Sequence, residues 1–258
     1  MKTLTLYNLK GGVGKTAAAV NLAYLAAEAG YRTLLCDLDP QGATSFYLRV
    51  RPPKGLNVRT LLRGGKRLRD SVRESDYRNL DLLPAALSYR RLDRELAKES
   101  HTKKRISLSF AGFGKRYDLL VIDAPPSIGL EGENLIRAAD LALVPVIPSV
   151  LSINAFEQIL RVAEKQKLSR ERFHPFVSMA DVRKKLHRDL IPRVVALAGG
   201  RITAVVPYAS VVEKMGVTRE PVVVSNPKAK ASLAFRQLWE ETAVLLSLPK
   251  NRNTPSDS

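Results

Sequence analysis

Short runs of apolar, β-prone residues recur along the chain, separated for the most part by stretches with helical spacing. The runs are LTLYNL (4–9), RTLLCDL (32–38), NLDLLP (79–84), YDLLVID (117–123), LALVPVI (141–147), PFVSM (175–179) and ITAVVP (202–207). Near-continuous apolar strands alternating with helices mark a mostly parallel sheet covered on both faces. The fold class predicted is α/β: a twisted, mostly parallel sheet with helices on both faces. An Ala-rich helix is expected from Lys15 to Ala29, stopped by Gly30, because glycine accepts the left-handed conformation that closes a last helical turn. A final helix is expected from Ala229 to Leu246. Residues 49–78 carry Pro52, Pro53, Gly55, Gly64 and Gly65 among many basic residues and read as loop and short helix. No internal repeat or linker interrupts the pattern, so residues 1–248 read as one domain. Residues 249–258, PKNRNTPSDS, read as a polar, disordered tail.

Charge sharpens this picture. The 258 residues include 42 Lys and Arg against 25 Asp and Glu, a net charge of +17. Such an excess points to a polyanionic partner, nucleic acid or an anionic membrane surface, against the plainer reading of a basic, solvated surface. The single cysteine, Cys36, excludes an internal disulfide or a cysteine metal cluster and reads as a small core residue. No stretch approaches the roughly 18 apolar residues a membrane span needs, and the first residues, MKTLTLYNLKGG, lack the pattern of a signal peptide. The expected location is the cytoplasm. His101, His174 and His187 are scattered and form no catalytic or metal-ligand spacing.

The chemistry begins at residues 10–16, Lys-Gly-Gly-Val-Gly-Lys-Thr. A glycine-rich turn between a strand and a helix lets backbone N–H groups approach phosphate oxygens, and the helix turns its positive end to the same place. This is a variant P-loop ending in Gly14-Lys15-Thr16, with Gly11, Gly12, Val13 and Ala17 completing the phosphate cradle. Lys15 is expected at the β- and γ-phosphates and the Thr16 hydroxyl on Mg²⁺. A bare glycine turn is the plain alternative, and the agreement of strand, loop and helix argues against it.

With Lys10 at its start, KGGVGKT closely resembles the deviant Walker A motif of the ParA/MinD family of ATPases. Asp37-Leu38-Asp39-Pro40-Gln41-Gly42 resembles the family's DxDPQG motif, and Leu119–Pro126 its Walker B segment. NLDLLPA (79–85), SMADVRKKL (178–186) and the stretch from Val205 to Glu241 extend the likeness over nearly the whole chain. The resemblance implies ATP and Mg²⁺ as cofactors and slow hydrolysis stimulated by a partner. It gives Lys10 a role across a dimer interface on the partner's phosphates and Asp39 the orientation of the attacking water. It places Asp37 near the Mg²⁺ shell and lets Asp123 hold the ion through water. Asp181 is implied near the adenine and the dimer face, with Arg183 beside it, and Pro207 near the adenine. Two positions depart from the pattern. Ala17 replaces a threonine that touches the α-phosphate, which implies weaker or slower nucleotide handling. Val211 replaces an arginine implicated in DNA binding.

The implied function is an ATP-switched homodimer that binds DNA non-specifically over the nucleoid and positions a cargo, with a ParB-like or McdB-like adaptor. Four basic clusters could meet DNA phosphates: Arg183, Lys184, Lys185 and Arg188; Lys228, Lys230 and Arg236; Lys103, Lys104 and Arg105; and the stretch Arg49–Arg69. The first two are favoured, since they flank the region that changes with nucleotide in relatives. Alternatives are a MinD-like membrane-associated ATPase and a P-loop ligase or amidotransferase acting on a small molecule. Membrane attachment fits poorly, because the last helix continues the fold and carries Glu240 and Glu241. An iron–sulfur carrier would need a C-x-x-C pair that this sequence lacks.

Overall fold

The computed structural model describes residues 1–99 and 102–249; the predicted tail from residue 250 onward lies outside them. The chain runs β1 (Lys2–Leu6), α1 (Lys15–Glu28), β2 (Thr33–Asp37), α2 (Ala43–Tyr47), α3 (Val58–Arg63), α4 (Gly65–Arg69), β3 (Arg73–Glu74), β4 (Leu80–Leu83), α5 (Leu92–Leu96), α6 (Arg105–Phe110) and β5 (Leu119–Asp123). It continues through α7 (Leu130–Ala138), β6 (Leu141–Val146), α8 (Val150–Lys165), β7 (Phe173–Ala180), α9 (Lys185–Leu197) and β8 (Val205–Pro207). It closes with α10 (Ser210–Glu213), α11 (Met215–Thr218), α12 (Val222–Ser225) and α13 (Lys230–Leu245). The strands form one sheet in the order β3-β4-β2-β5-β1-β6-β7-β8, parallel except for the edge strand β3.

The sheet is buried on both faces, as its continuous apolar strands require. Leu34, Cys36 and Ile122 face one core, with Leu61, Leu68, Leu92, Phe110, Phe113 and Phe156 from the helices over it. Leu4, Leu6, Leu35 and Val121 face the other, which is filled by α1 and by Phe235, Leu238 and Trp239 of α13. Helix α1 is buried almost all round, which its run of alanines permits at close approach to the strands. Gly30 at φ 90° ends that helical stretch.

Several boundaries differ from the sequence reading, each for a local reason. The first strand is Lys2–Leu6, not 4–9. Asn8 ends it: its side-chain oxygen accepts from Lys10 N–H at 2.9 Å, and its amide donates to the Pro145 carbonyl at 2.7 Å. Such an Asx interaction turns the chain and launches the glycine loop. The last strand begins at Val205, not 202. The Glu241 carboxylate takes the N–H groups of Thr203 and Ala204, withdrawing them from the ladder. Strand β7 is longer than expected, and β3 lies inside the stretch read as loop and helix. That stretch also holds α3, whose N-terminus is capped by Asn57 accepting from Arg59 N–H and Thr60 N–H.

Candidate functional site

In a parallel sheet ligands bind beyond the carboxyl ends of the strands, and the sequence concentrates its motifs there. β1 delivers the loop 8–14, β2 delivers Asp37 and Asp39, and β5 delivers Asp123. Gly12 (φ 70°) and Gly14 (φ 92°) occupy left-handed conformations that fold the loop back over its own amides. Gly14 also needs its hydrogen. A Cβ there would sit 2.8 Å from Ser178 Oγ, which donates to the Val13 carbonyl at 2.8 Å and so ties β7 to the loop. Val13 is itself buried.

Lys15 is buried, and its ammonium donates to the Lys10 carbonyl at 3.0 Å across the loop. Burial lowers its pKa, opposed by the nearby carboxylates of Asp123 and Asp39. Asp37 and Asp123 are register partners at the ends of adjacent strands. Both are almost wholly buried. Asp37 accepts from Ser45 N–H and Oγ–H at 2.8 and 2.7 Å on one oxygen. Asp123 accepts from the Thr44 hydroxyl at 2.7 Å. The second oxygen of each has no partner. Burial, and for Asp37 the neighbouring Asp123, raises the pKa of Asp37 to about 7. Burial likewise raises Asp123 to about 6 against the hydroxyls of Thr44 and Thr16 and the charge of Lys15.

Two buried carboxylates with an orphaned oxygen apiece, beside a lysine and a threonine, ask for a cation. Among the described residues no group of three or more His, Cys, Asp or Glu could cage a metal alone. A pair of carboxylates suits Mg²⁺, which keeps waters and takes its remaining ligands from substrate phosphates. Thr16, Asp37 and Asp123 are the residues that would hold it. Asp39 is half-buried at the cleft wall, one oxygen accepting from Gln41 N–H at 2.9 Å.

The cleft above the loop has a volume near 570 Å³. Gly11, Gly12, Gly14, Lys15, Thr16, Ala17 and Asp39 line its polar end, and Pro207 lies along its apolar arm. Sequence reasoning missed the rest of that arm, which includes Met179, Tyr208, Val212 and Phe235. Nothing in the local sequence marks them, because they converge only after β7, β8 and α13 pack. Met179 takes φ 52° where the β7–β8 register breaks, a strained conformation for this side chain. A groove of similar size, 620 Å³, flanks α8 and α9 but gathers none of the sequence motifs.

Five predicted nucleotide-site residues lie outside the cleft lining: the buried pair Asp37 and Asp123, and Val13, Lys10 and Asp181. Val13 is buried beneath the loop. Lys10 donates to the Leu151 carbonyl at 3.1 Å, beside the exposed side chain of Leu151. Asp181 is occupied by Arg183, which grips both carboxylate oxygens at 2.8 and 3.0 Å and holds its pKa near 2. Of the predicted DNA residues, Arg183 is thus paired, and Arg236 pairs with Glu28 at 2.6 Å. Arg188 donates to the carbonyls of Val182 and Arg183. Lys184, Lys185, Lys228 and Lys230 are exposed. No described helix is long and apolar enough to cross a membrane, and α13 buries Phe235, Leu238 and Trp239 in the core.

Loop, lysine and paired carboxylates at the strand ends define a nucleoside-triphosphate-binding protein of the P-loop class. Comparison with known proteins narrows this. An AAA-domain family model matches residues 1–174. The chromosome-partitioning ATPase Soj of Treponema pallidum is 31% identical over 205 residues, 78% of this chain and 80% of that protein. The ATP complex of a variant of Cyanothece McdA superposes with a TM-score of 0.81 at 20% identity, covering 97% of this chain and 98% of that one. Cobyrinic acid a,c-diamide synthase from Mycobacterium smegmatis, with an ATP analogue and magnesium, gives 0.75 at 25% identity over the whole of both chains. The chain belongs to the ParA/MinD family of P-loop ATPases. It is an ATPase that uses ATP and Mg²⁺, a positioning ATPase of the ParA kind.

Proposed function

We propose that the protein is an ATP-switched homodimer that binds DNA non-specifically and positions a cargo along the nucleoid, with hydrolysis stimulated by a ParB-like or McdB-like adaptor. The observation that carries this reading is Lys10. It stands at the head of the phosphate loop, yet its ammonium does not line its own cleft and rests on a backbone carbonyl beside the exposed Leu151. A lysine in that place is available to a second molecule's phosphates, and exposed Val150 and Leu151 supply apolar area for the contact. The net charge of +17 supports a polyanion as the surface on which the dimer works.

Bound Mg²⁺ would neutralise phosphate charge and polarise the terminal phosphoryl group. The protein's own groups do the rest. The loop amides of residues 11–17 hold the phosphate oxygens. Lys15 exchanges the Lys10 carbonyl for phosphate oxygen, a charge-assisted bond that offsets its burial. Asp39 has one oxygen committed to Gln41 N–H, and its other oxygen orients a water and accepts its proton. Asp37 and Asp123 supply the orphaned oxygens. The apolar arm at Met179 and Pro207 takes the flat face of a base.

Lys10→Ala should abolish ATP-dependent dimerisation in sedimentation while leaving the monomer folded; a dimer of undiminished affinity would refute the role. Asp39→Ala should trap an ATP-bound dimer on DNA, and hydrolysis at the normal rate would show that another group handles the water. The diamide synthase likeness keeps a small-molecule ligase as the second reading, and ATP-dependent, salt-sensitive retention on unrelated DNA separates the two.

A further inference from the structure

We propose that the groove between α3 and α4, walled by Arg59, Arg63 and Arg67, is a second docking surface for the phosphate backbone of duplex DNA. It lies on the opposite side of the sheet from α13. The inference rests on the non-specific DNA binding proposed above and adds a site to it.

The charge distribution is the first observation. From Arg49 to Arg105 the sequence holds 17 Lys and Arg against 7 Asp and Glu, a surplus of 10 within a chain whose net charge is +17. Folding gathers part of that surplus around one concavity of about 280 Å³, whose lining comprises Asn57, Arg59, Thr60, Arg63, Gly64 and Arg67. Arg59 and Arg63 are four residues apart on one helix, so their stems stand about 6 Å apart along its axis. That reach spans neighbouring phosphates of one strand, which rise about 3.4 Å each.

The second observation is what holds the groove open. Gly64 takes φ 64° and ψ −145°, and a Cβ there would lie 2.8 Å from the Ser109 carbonyl oxygen. This glycine breaks the helical run and brings α4 back so that Arg67 shares the groove with Arg63. The corner is anchored from below by Ser109, whose hydroxyl donates to the Leu62 carbonyl at 3.2 Å.

The third observation is that two of the groove's three arginines lack counter-charges. Arg63 and Arg67 are exposed, and among the described residues neither lies within ion-pair distance of a carboxylate. Arg59 has only a 3.7 Å approach to Glu95. Arg90, Arg91 and Arg94, on the neighbouring turn and α5, are likewise exposed and, among the described residues, within ion-pair distance of no carboxylate. By contrast, Arg183 and Arg236 of the clusters favoured from sequence already hold carboxylates. A cation without a partner gives up only hydration and side-chain freedom when it meets a phosphate; a paired one must also give up its pair.

The occupant follows from what the surface lacks. Protein interfaces centre on apolar or aromatic anchors. Among large apolar residues described between Arg49 and Glu99, only Leu87 is exposed. A surface of guanidinium groups over a polar floor suits a polyelectrolyte whose binding draws on counterion release.

The test measures affinity for a short labelled duplex of arbitrary sequence across a salt series, with Mg²⁺ and ATP present. Wild-type protein is compared with Arg63→Ala/Arg67→Ala and, separately, with Lys184→Ala/Lys185→Ala. Each lost phosphate contact lowers the slope of log K against log salt by about 0.9. The α3–α4 variant should therefore lose between about 1 and 2 in slope, with thermal unfolding unchanged because both side chains are exposed. An unchanged slope, with the slope of the Lys184/Lys185 variant reduced, would overturn this site and leave DNA binding standing. Wild-type protein that fails to bind the duplex at all would overturn both. Loss of binding to a polyglutamate peptide with the DNA slope intact would reassign the groove to an acidic protein surface and likewise overturn the inference.

Discussion

Gly14→Ala tests how the phosphate loop is held, independently of nucleotide. The native φ of 92° lies in the left-handed region, where an L side chain costs about 1–2 kcal/mol. The added Cβ would also fall 2.8 Å from Ser178 Oγ. Ser178 must swing away, giving up its 2.8 Å bond to the Val13 carbonyl, a bond worth about 0.5–1.5 kcal/mol in a buried setting. The two terms sum to about 1.5–3.5 kcal/mol. Ser178→Ala alone should cost about 1 kcal/mol. In the Ser178→Ala background the alanine at 14 has space, so only the conformational cost should remain. A double-mutant cycle by urea unfolding of nucleotide-free protein measures the difference, with a coupling near 1 kcal/mol expected. Equal costs of Gly14→Ala in both backgrounds would show that the serine does not clamp the loop. A cost below about 0.5 kcal/mol would show that the loop relaxes freely.

Further outcomes follow from the same geometry. Gly64→Ala should destabilise by roughly 3 kcal/mol, since left-handed strain adds to a 2.8 Å clash with backbone that cannot step aside; a thermal midpoint within a degree or two of wild type would contradict this. Ala17→Thr adds a hydroxyl at the cleft wall, and one further phosphate hydrogen bond of about 1 kcal/mol should tighten ATP binding roughly fivefold by calorimetry. The nucleotide-free protein should lose stability as pH rises from about 4 to 8. Asp37, Asp123 and Glu131 have pKa values raised chiefly by burial, to about 7, 6 and 8. The native state therefore binds more protons than the unfolded chain in that window, and the slope is negative. Urea midpoints at pH 5 and 8 check the sign. Glu131→Gln should flatten the part of the decline above pH 7, because it removes the buried, unpartnered carboxylate that titrates last.

What the sequence disclosed depended on whether the information was local. The strands, the Ala-rich helix and the phosphate loop were legible because a continuous apolar run, a glycine pair and a lysine–threonine pair each act within a few residues of chain. The pairing of Asp37 with Asp123 was legible only in part. Each motif stood out, but their side-by-side register depends on β2 and β5 being neighbours across 86 residues of chain. The end of β1 at Asn8 and the late start of β8 were not legible, because a side chain claimed backbone groups that apolar patterning assigned to a strand. The apolar arm of the cleft was invisible for the same reason at longer range: Met179, Val212 and Phe235 come from three separate elements. Charge was legible as a total but not as a surface. The family resemblance ranked the clusters around Arg183 and Arg236 first, because they flank the region that changes with nucleotide in relatives, whereas folding gave those two arginines carboxylates and, among the described residues, left Arg63 and Arg67 without. A basic residue's availability to phosphate is thus set by its neighbours in space as well as by the chain: ion pairs occupy Arg183 and Arg236, while Lys184, Lys185, Lys228 and Lys230, like Arg63 and Arg67, stay exposed and without an ion pair among the described residues.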